Sequence, residues 1–196
     1  MNANKQIIIV FDLDGVIFKK LSRLGIAGNA IADYSCSGIP LIYRYIGKKL
    51  RTPDIPKFSK LIAKSMKNLE FSSDIADELA YMYMQKSPNI QVKYCSNLGR
   101  TKKIREMVMA QLSPIGVKAE DVILLPPGSS KLNYFKQLRA ENPDAVILFG
   151  DDSPAHILSG QQADFDYSIL IGSKECPDAV AFIAFCATLF STQFQR

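Results

Sequence analysis

From Asn89 onward the chain alternates short, β-branched-rich apolar runs with stretches of helical spacing, and no other feature restricts its fold as much. The runs "NIQVKYC", "DVILL", "DAVILFG" and "FDYSILIG" are each followed by a helical pattern. "RTKKIREMVMAQL" places Ile104, Met107, Val108 and Leu112 on one side of a helix, and "SKLNYFKQLRAEN" does the same with Leu132, Phe135 and Leu138. "SPAHILSGQQA" opens on Ser153 as an N-cap with Pro154 at the first helical position. The block from Pro177 is apolar nearly all round and predicts a packed C-terminal helix. Repeated strand and helix predict an α/β fold, a parallel sheet with helices on both faces.

A fifth apolar run, "QIIIVF", stands about eighty residues ahead of the next strand. A right-handed crossover needs far fewer residues. Residues 19–87 therefore read as an inserted, mostly helical lobe, and 1–18 with 88–196 as the core. Within the insertion, "PKFSKLIAKSMKNLEF" sets Phe58, Leu61, Ile62, Met66 and Leu69 opposite Lys57, Lys60, Lys64 and Lys67, a basic amphipathic helix. "SSDIADELAYMYMQK" predicts a second helix ending before Pro88, with Tyr81 to Met84 as packing residues.

The insertion also concentrates the charge. The whole chain carries +5, but Lys19 to Asn68 has eleven Lys or Arg against Asp33 and Asp54, which makes that segment +9 and the rest −4. Such asymmetry leads us to expect an anionic partner: a phosphorylated substrate, a nucleic acid or an anionic membrane face. Arg44, Lys48 and Lys49 are candidates to select the anionic part of a substrate. The N-terminal apolar run is too short for a signal peptide, and the longest later block, Asp178 to Phe190, falls short of the roughly 20 residues of a membrane span. Four cysteines without a CxxC pair exclude zinc-site spacing and predict a reducing, cytoplasmic location, with Cys95 and Cys186 as small core residues.

Ligands of an open parallel sheet bind beyond the C-terminal ends of its strands. There the first strand ends in Asp12-Leu13-Asp14-Gly15, the second in Cys95-Ser96-Asn97 and the fourth in Gly150-Asp151-Asp152, while Lys131 follows the third. Four carboxylates, a hydroxyl and an ammonium on one rim suit metal-assisted phosphoryl transfer. Oxygen donors bind a hard cation such as Mg²⁺, cation and lysine neutralise phosphoryl charge, one carboxylate can attack phosphorus, and another can move the proton.

In order and separation, "FDLDGV", "YCSN", "SSK" and "ILFGDD" resemble the four motifs of the haloacid dehalogenase (HAD) superfamily. The resemblance covers the first strand and residues 89–172, and leaves the insertion aside. It implies a three-layer Rossmannoid core with a C1-type helical cap after the first strand. It further implies Asp12 as nucleophile, Asp14 as general acid/base, Ser96 with Asn97 as phosphate-binding residues, and Lys131 as stabiliser of Asp12 and the phosphate. Mg²⁺ would be bound by Asp12, Asp151 and the backbone carbonyl of Asp14, with Asp152 acting through a water or orienting the site. Because Asp14 supplies a second acid, the implied reaction is hydrolysis of a small phosphorylated metabolite through an aspartyl-phosphate. A phosphomutase is the alternative within the superfamily, and a nucleic-acid or anionic-lipid binding module, using the basic cap, the alternative outside it. Two places depart from the pattern. Ala155 and His156 stand where many relatives carry another acid, with His156 expected as a surface or satisfied residue, and "IFKKLSR" follows "DGV" where relatives are more polar.

Overall fold

In the computed structural model, the described residues are 5–19, 69–72, 75–126 and 129–189. The expected basic helix, apart from Leu69, Glu70 and Phe71 at its end, lies outside them, as do Arg44, Lys48 and Lys49.

All five apolar runs are strands: β1 (Ile7–Phe11), β2 (Ile90–Ser96), β3 (Val122–Leu124), β4 (Val146–Asp151) and β5 (Tyr167–Leu170). They form one parallel sheet in the order β3-β2-β1-β4-β5. β1 is central and every residue in it is buried, which explains why its sequence is apolar without alternation. Among the described residues the α-helices are α1 (Ile75–Gln85), α2 (Lys102–Leu112), α3 (Leu132–Glu141), α4 (Pro154–Gln162) and α5 (Ala179–Leu189).

Because strand side chains alternate with period two, the sheet divides its core in two. Ile7, Ile9 and Phe11 face a cluster that takes in α1, α2 and α5, where Phe11 stacks on Tyr94 and meets Phe182 edge-on. Ile8 and Val10 face Cys95, Ile147 and Phe149, with Phe135 and Leu138 of α3 and Ile157 of α4. Cys95 and Cys186 are buried core residues, as expected. α1 buries Ile75, Leu79 and Met82 in the first cluster. The sequence places this helix in the inserted lobe, yet its apolar face belongs to the core. Within the Tyr81 to Met84 run, Met82 and Tyr83 pack as expected, whereas Tyr81 and Met84 are exposed.

The helix starts follow local chemistry. Thr101 Oγ1 accepts a hydrogen bond from the Ile104 N–H and caps α2. Pro154 begins α4 after Ser153, whose side chain makes no capping bond; the Ser153 N–H instead donates to Asp151. The described segments on either side of residues 20–68 pair with each other. Phe18 bridges antiparallel to Phe71, the Lys19 N–H donates to the Glu70 carbonyl, and the Ser72 N–H donates to that of Ile17. Ser72 Oγ reaches the Val16 carbonyl at 2.7 Å. Segments 17–19 and 70–72 thus form a hydrogen-bonded neck.

Candidate active site

Strand register sets out the rim. Phe11 pairs with Tyr94 on one side and Gly150 on the other, so Asp12, one residue further, is level with Cys95 and Asp151. The Asp12 N–H donates to the Gly150 carbonyl and continues the ladder by one step. Asp12 and Asp151 have the same parity as Val10 and Phe149, so both side chains point over the second core cluster, where α3 begins. Lys131, at the N-cap of α3, extends beneath them across the Phe149 ring. Its Nζ donates to Asp12 Oδ1 at 2.5 Å and to Asp151 Oδ2 at 2.6 Å. Lys131 and Asp151 are wholly shielded from solvent and Asp12 nearly so.

Buried charge is tolerated only when it is paired, and the three groups differ accordingly. The Asp12 and Asp151 charges outweigh the cost of burial and keep the Lys131 ammonium protonated well above its ordinary range. Burial raises the Asp151 carboxyl, but Lys131 and His156 more than offset it and hold the group at about 2. Burial pushes the Asp12 carboxyl well above the usual carboxylate range, against the pull of Lys131 and with the help of the neighbouring Asp151 charge. The Cys95 thiol, behind the acids, is pushed up to about 12 by burial, so it is no rival nucleophile.

Asp152 has the opposite parity and turns to the other side of the rim, over the loop that follows β1. Gly15 has φ +85°, and a β-carbon there would lie 2.5 Å from Asp152 Oδ2. A residue without a side chain is needed on both counts. Carboxylate oxygens of Asp12, Asp151 and Asp152 all lie within 4.8 Å of one another. Asp14 is buried at the base of the neck and is not a member of this triad. Ser96 is buried at the end of β2, its carbonyl accepting from the Leu125 N–H. Asn97 Nδ2 donates to the Ser129 carbonyl at 2.5 Å, which ties the β2 exit to the loop that carries Lys131.

One partner is missed by the sequence reading. His156 is buried on the first turn of α4, with Nδ1 3.1 Å and 3.3 Å from the two carboxylate oxygens of Asp151. Its spacing of five from Asp151, just past a helix start, is the signal that could have placed it there.

The donor set can be tested for a divalent cation. Every ligand in the triad is a carboxylate oxygen, which suits a hard ion. Three acids share the single ammonium of Lys131 in a largely shielded place, so the oxygens are in excess of the cation that faces them. The residues therefore fit Mg²⁺, with Asp12, Asp151 and Asp152 as its holders.

The fold and rim define a parallel α/β protein with an acidic, lysine-braced site at the carboxyl end of its sheet. No family model matches the chain, and no curated protein matches its sequence. Among solved structures it is similar to DsGPDH of Dunaliella salina at 16% identity and TM-score 0.48, over 92% of this chain and 26% of that one. This chain thus spans about a quarter of the Dunaliella protein's length. It is also similar to the haloacid dehalogenase-like family hydrolase SP0104 of Streptococcus pneumoniae, at 13% identity and TM-score 0.45 over 85% and 84% of the two chains. A hydrolase from Pseudomonas syringae aligns at 12% identity and TM-score 0.44, over 83% of each.

Proposed function

We propose that the protein is a Mg²⁺-dependent phosphomonoester hydrolase of the HAD type that works through an aspartyl-phosphate on Asp12. The observation that carries this reading is the buried Lys131 ammonium, bonded at once to Asp12 and Asp151. The four-motif resemblance supports it, since the motif residues Asp12, Lys131 and Asp151 meet in space.

In this mechanism Lys131 grips Asp12 Oδ1 and fixes the carboxylate, and the other oxygen attacks phosphorus. The bond from phosphorus to the ester oxygen breaks, and Asp14 gives that oxygen a proton. Asp14 then takes a proton from water as the water attacks phosphorus, which releases inorganic phosphate and restores Asp12. Ser96 donates to a phosphoryl oxygen, and Lys131 offsets the charge that builds there. A bound Mg²⁺, held by Asp12, Asp151 and Asp152, would supply further neutralisation of phosphoryl charge. A small phosphorylated substrate suits the arrangement.

The test is hydrolysis of an aryl phosphate by the purified chain in Mg²⁺. Wild-type protein turns it over and Asp12→Asn does not. Turnover that survives in Asp12→Asn overturns the nucleophile, and a wild-type protein inert across phosphate esters overturns the activity.

A further inference from the structure

Asp151 receives more donors than an ion pair requires. Lys131 Nζ reaches Oδ2, the Ser153 N–H reaches Oδ1 at 2.8 Å, and His156 Nδ1 faces both oxygens at nearly equal distances. An ionised carboxylate only accepts, so the hydrogen of the histidine contact belongs to Nδ1. The ring is brought there by the backbone: the His156 N–H donates to the Ser153 carbonyl and closes the first turn of α4 directly above the end of β4.

These donors differ in what they can fix. Lys131 is shared with Asp12 and holds Asp151 through Oδ2 alone, at a single point. Ser153 gives one backbone N–H to one oxygen, which still permits tilt about that bond. The imidazole is rigid and buried, and its Nδ1 reaches both oxygens, so together with Ser153 it resists a rotation that carries either one away. His156 is not itself within reach of the whole triad, so its effect passes through Asp151.

We propose that His156 is a positioning residue: by donating from Nδ1 across the two oxygens of Asp151, it fixes that carboxylate in the rotation that meets Asp12 and Asp152, and so sets the affinity of the site for a divalent cation. The inference rests on the reading of the triad as a cation site. Partners of this kind are worth roughly 10–100-fold in metal affinity.

The test is Mn²⁺ binding to the intact chain, followed by the loss of the free-ion electron paramagnetic resonance signal, with circular dichroism to confirm folding. His156→Leu fills the space without a donor and should weaken binding by about 10–100-fold. His156→Asn returns an amide nitrogen near the place of Nδ1 and should recover most of the affinity. His156→Gln, whose amide falls nearer Nε2, should behave like leucine. A purely packing role would not separate asparagine from glutamine, so that pair decides the matter even where the leucine variant does not fold. Wild-type affinity in His156→Leu overturns the inference, as does equal loss in the asparagine and glutamine variants. A wild-type protein that binds no Mn²⁺ overturns the cation reading and this inference together, whereas binding that ignores His156 overturns the inference alone.

Discussion

The carboxylate of Asp152 occupies the space that a β-carbon on Gly15 would need, 2.5 Å from Oδ2. The loop after β1 and the loop after β4 are therefore fitted to one another at a single glycine. Gly15→Ala must strain a backbone at φ +85° and also displace a carboxylate of the triad. We expect a stability loss of about 1 kcal/mol from the backbone and about a tenfold fall in Mg²⁺ affinity from the displaced acid. If the fall in affinity acts through Asp152, adding Asp152→Asn to Gly15→Ala costs little further affinity. Full additivity in calorimetric titrations of the double mutant counts against the fit.

Lys131 separates two buried acids that cannot both stay ionised without it. Lys131→Met should destabilise the metal-free protein by about 3–5 kcal/mol, since it leaves buried carboxylates uncompensated. The combination with Asp12→Asn should regain part of that loss, because one of the two charges is then gone. Urea unfolding of the single and double variants measures both steps. An additive pair of losses would contradict the pairing seen at 2.5 Å.

Divalent cation should raise thermal stability, since the triad exists only in the folded chain. A cation at 100 times its dissociation constant contributes about 2.7 kcal/mol, or about 5–10 °C for a chain of this size. Asp151→Asn should remove the shift. Melting curves in Mg²⁺ and in chelator make the comparison, and a wild-type curve indifferent to Mg²⁺ argues against a cation site.

Acid dependence should show at the opposite end of the sheet. Asp166 Oδ2 accepts the Ile147 N–H at 2.9 Å and the Arg139 guanidinium at 2.7 Å, while Arg139 also donates to the carbonyls of Ala145 and Asp164. Burial alone would raise the Asp166 carboxyl, but these donors outweigh it and lower the group. A carboxyl lowered in the folded state lends stability above its unfolded value, near 4, and loses it as pH falls through the folded value. Asp166→Asn should therefore cost about 1 kcal/mol near neutrality, modest because the pair is partly exposed, and nothing in strong acid. A gap in melting temperature that stays constant across that range would show that the charge is not what matters.

The elements were legible because each obeys one period. Fully buried strands such as Ile7–Phe11 read as unbroken apolar runs, and α2 and α3 as single apolar stripes. What periodicity does not carry is the partner. The stripe Ile75, Leu79, Met82 announces a helix without saying which surface it covers, and it covers the core. The contact of Lys131 with Asp12 spans 119 residues and depends on the register of the whole sheet, so spacing alone does not reveal it; the four-motif resemblance did. The contact of His156 with Asp151 is local and was legible in principle. A lone histidine on a helix is ordinarily unremarkable, and only the end of β4 beneath it makes it otherwise.

The neck has a consequence for how such a chain can change. Lys19 and Glu70 are joined by backbone and by an ion pair, so the two described segments that flank residues 20–68 are held side by side. The same join is wired to the chemistry, since the Gly15 N–H donates to the Phe18 carbonyl within it. A substitution in either of the paired segments would therefore be felt at the loop that carries Asp14.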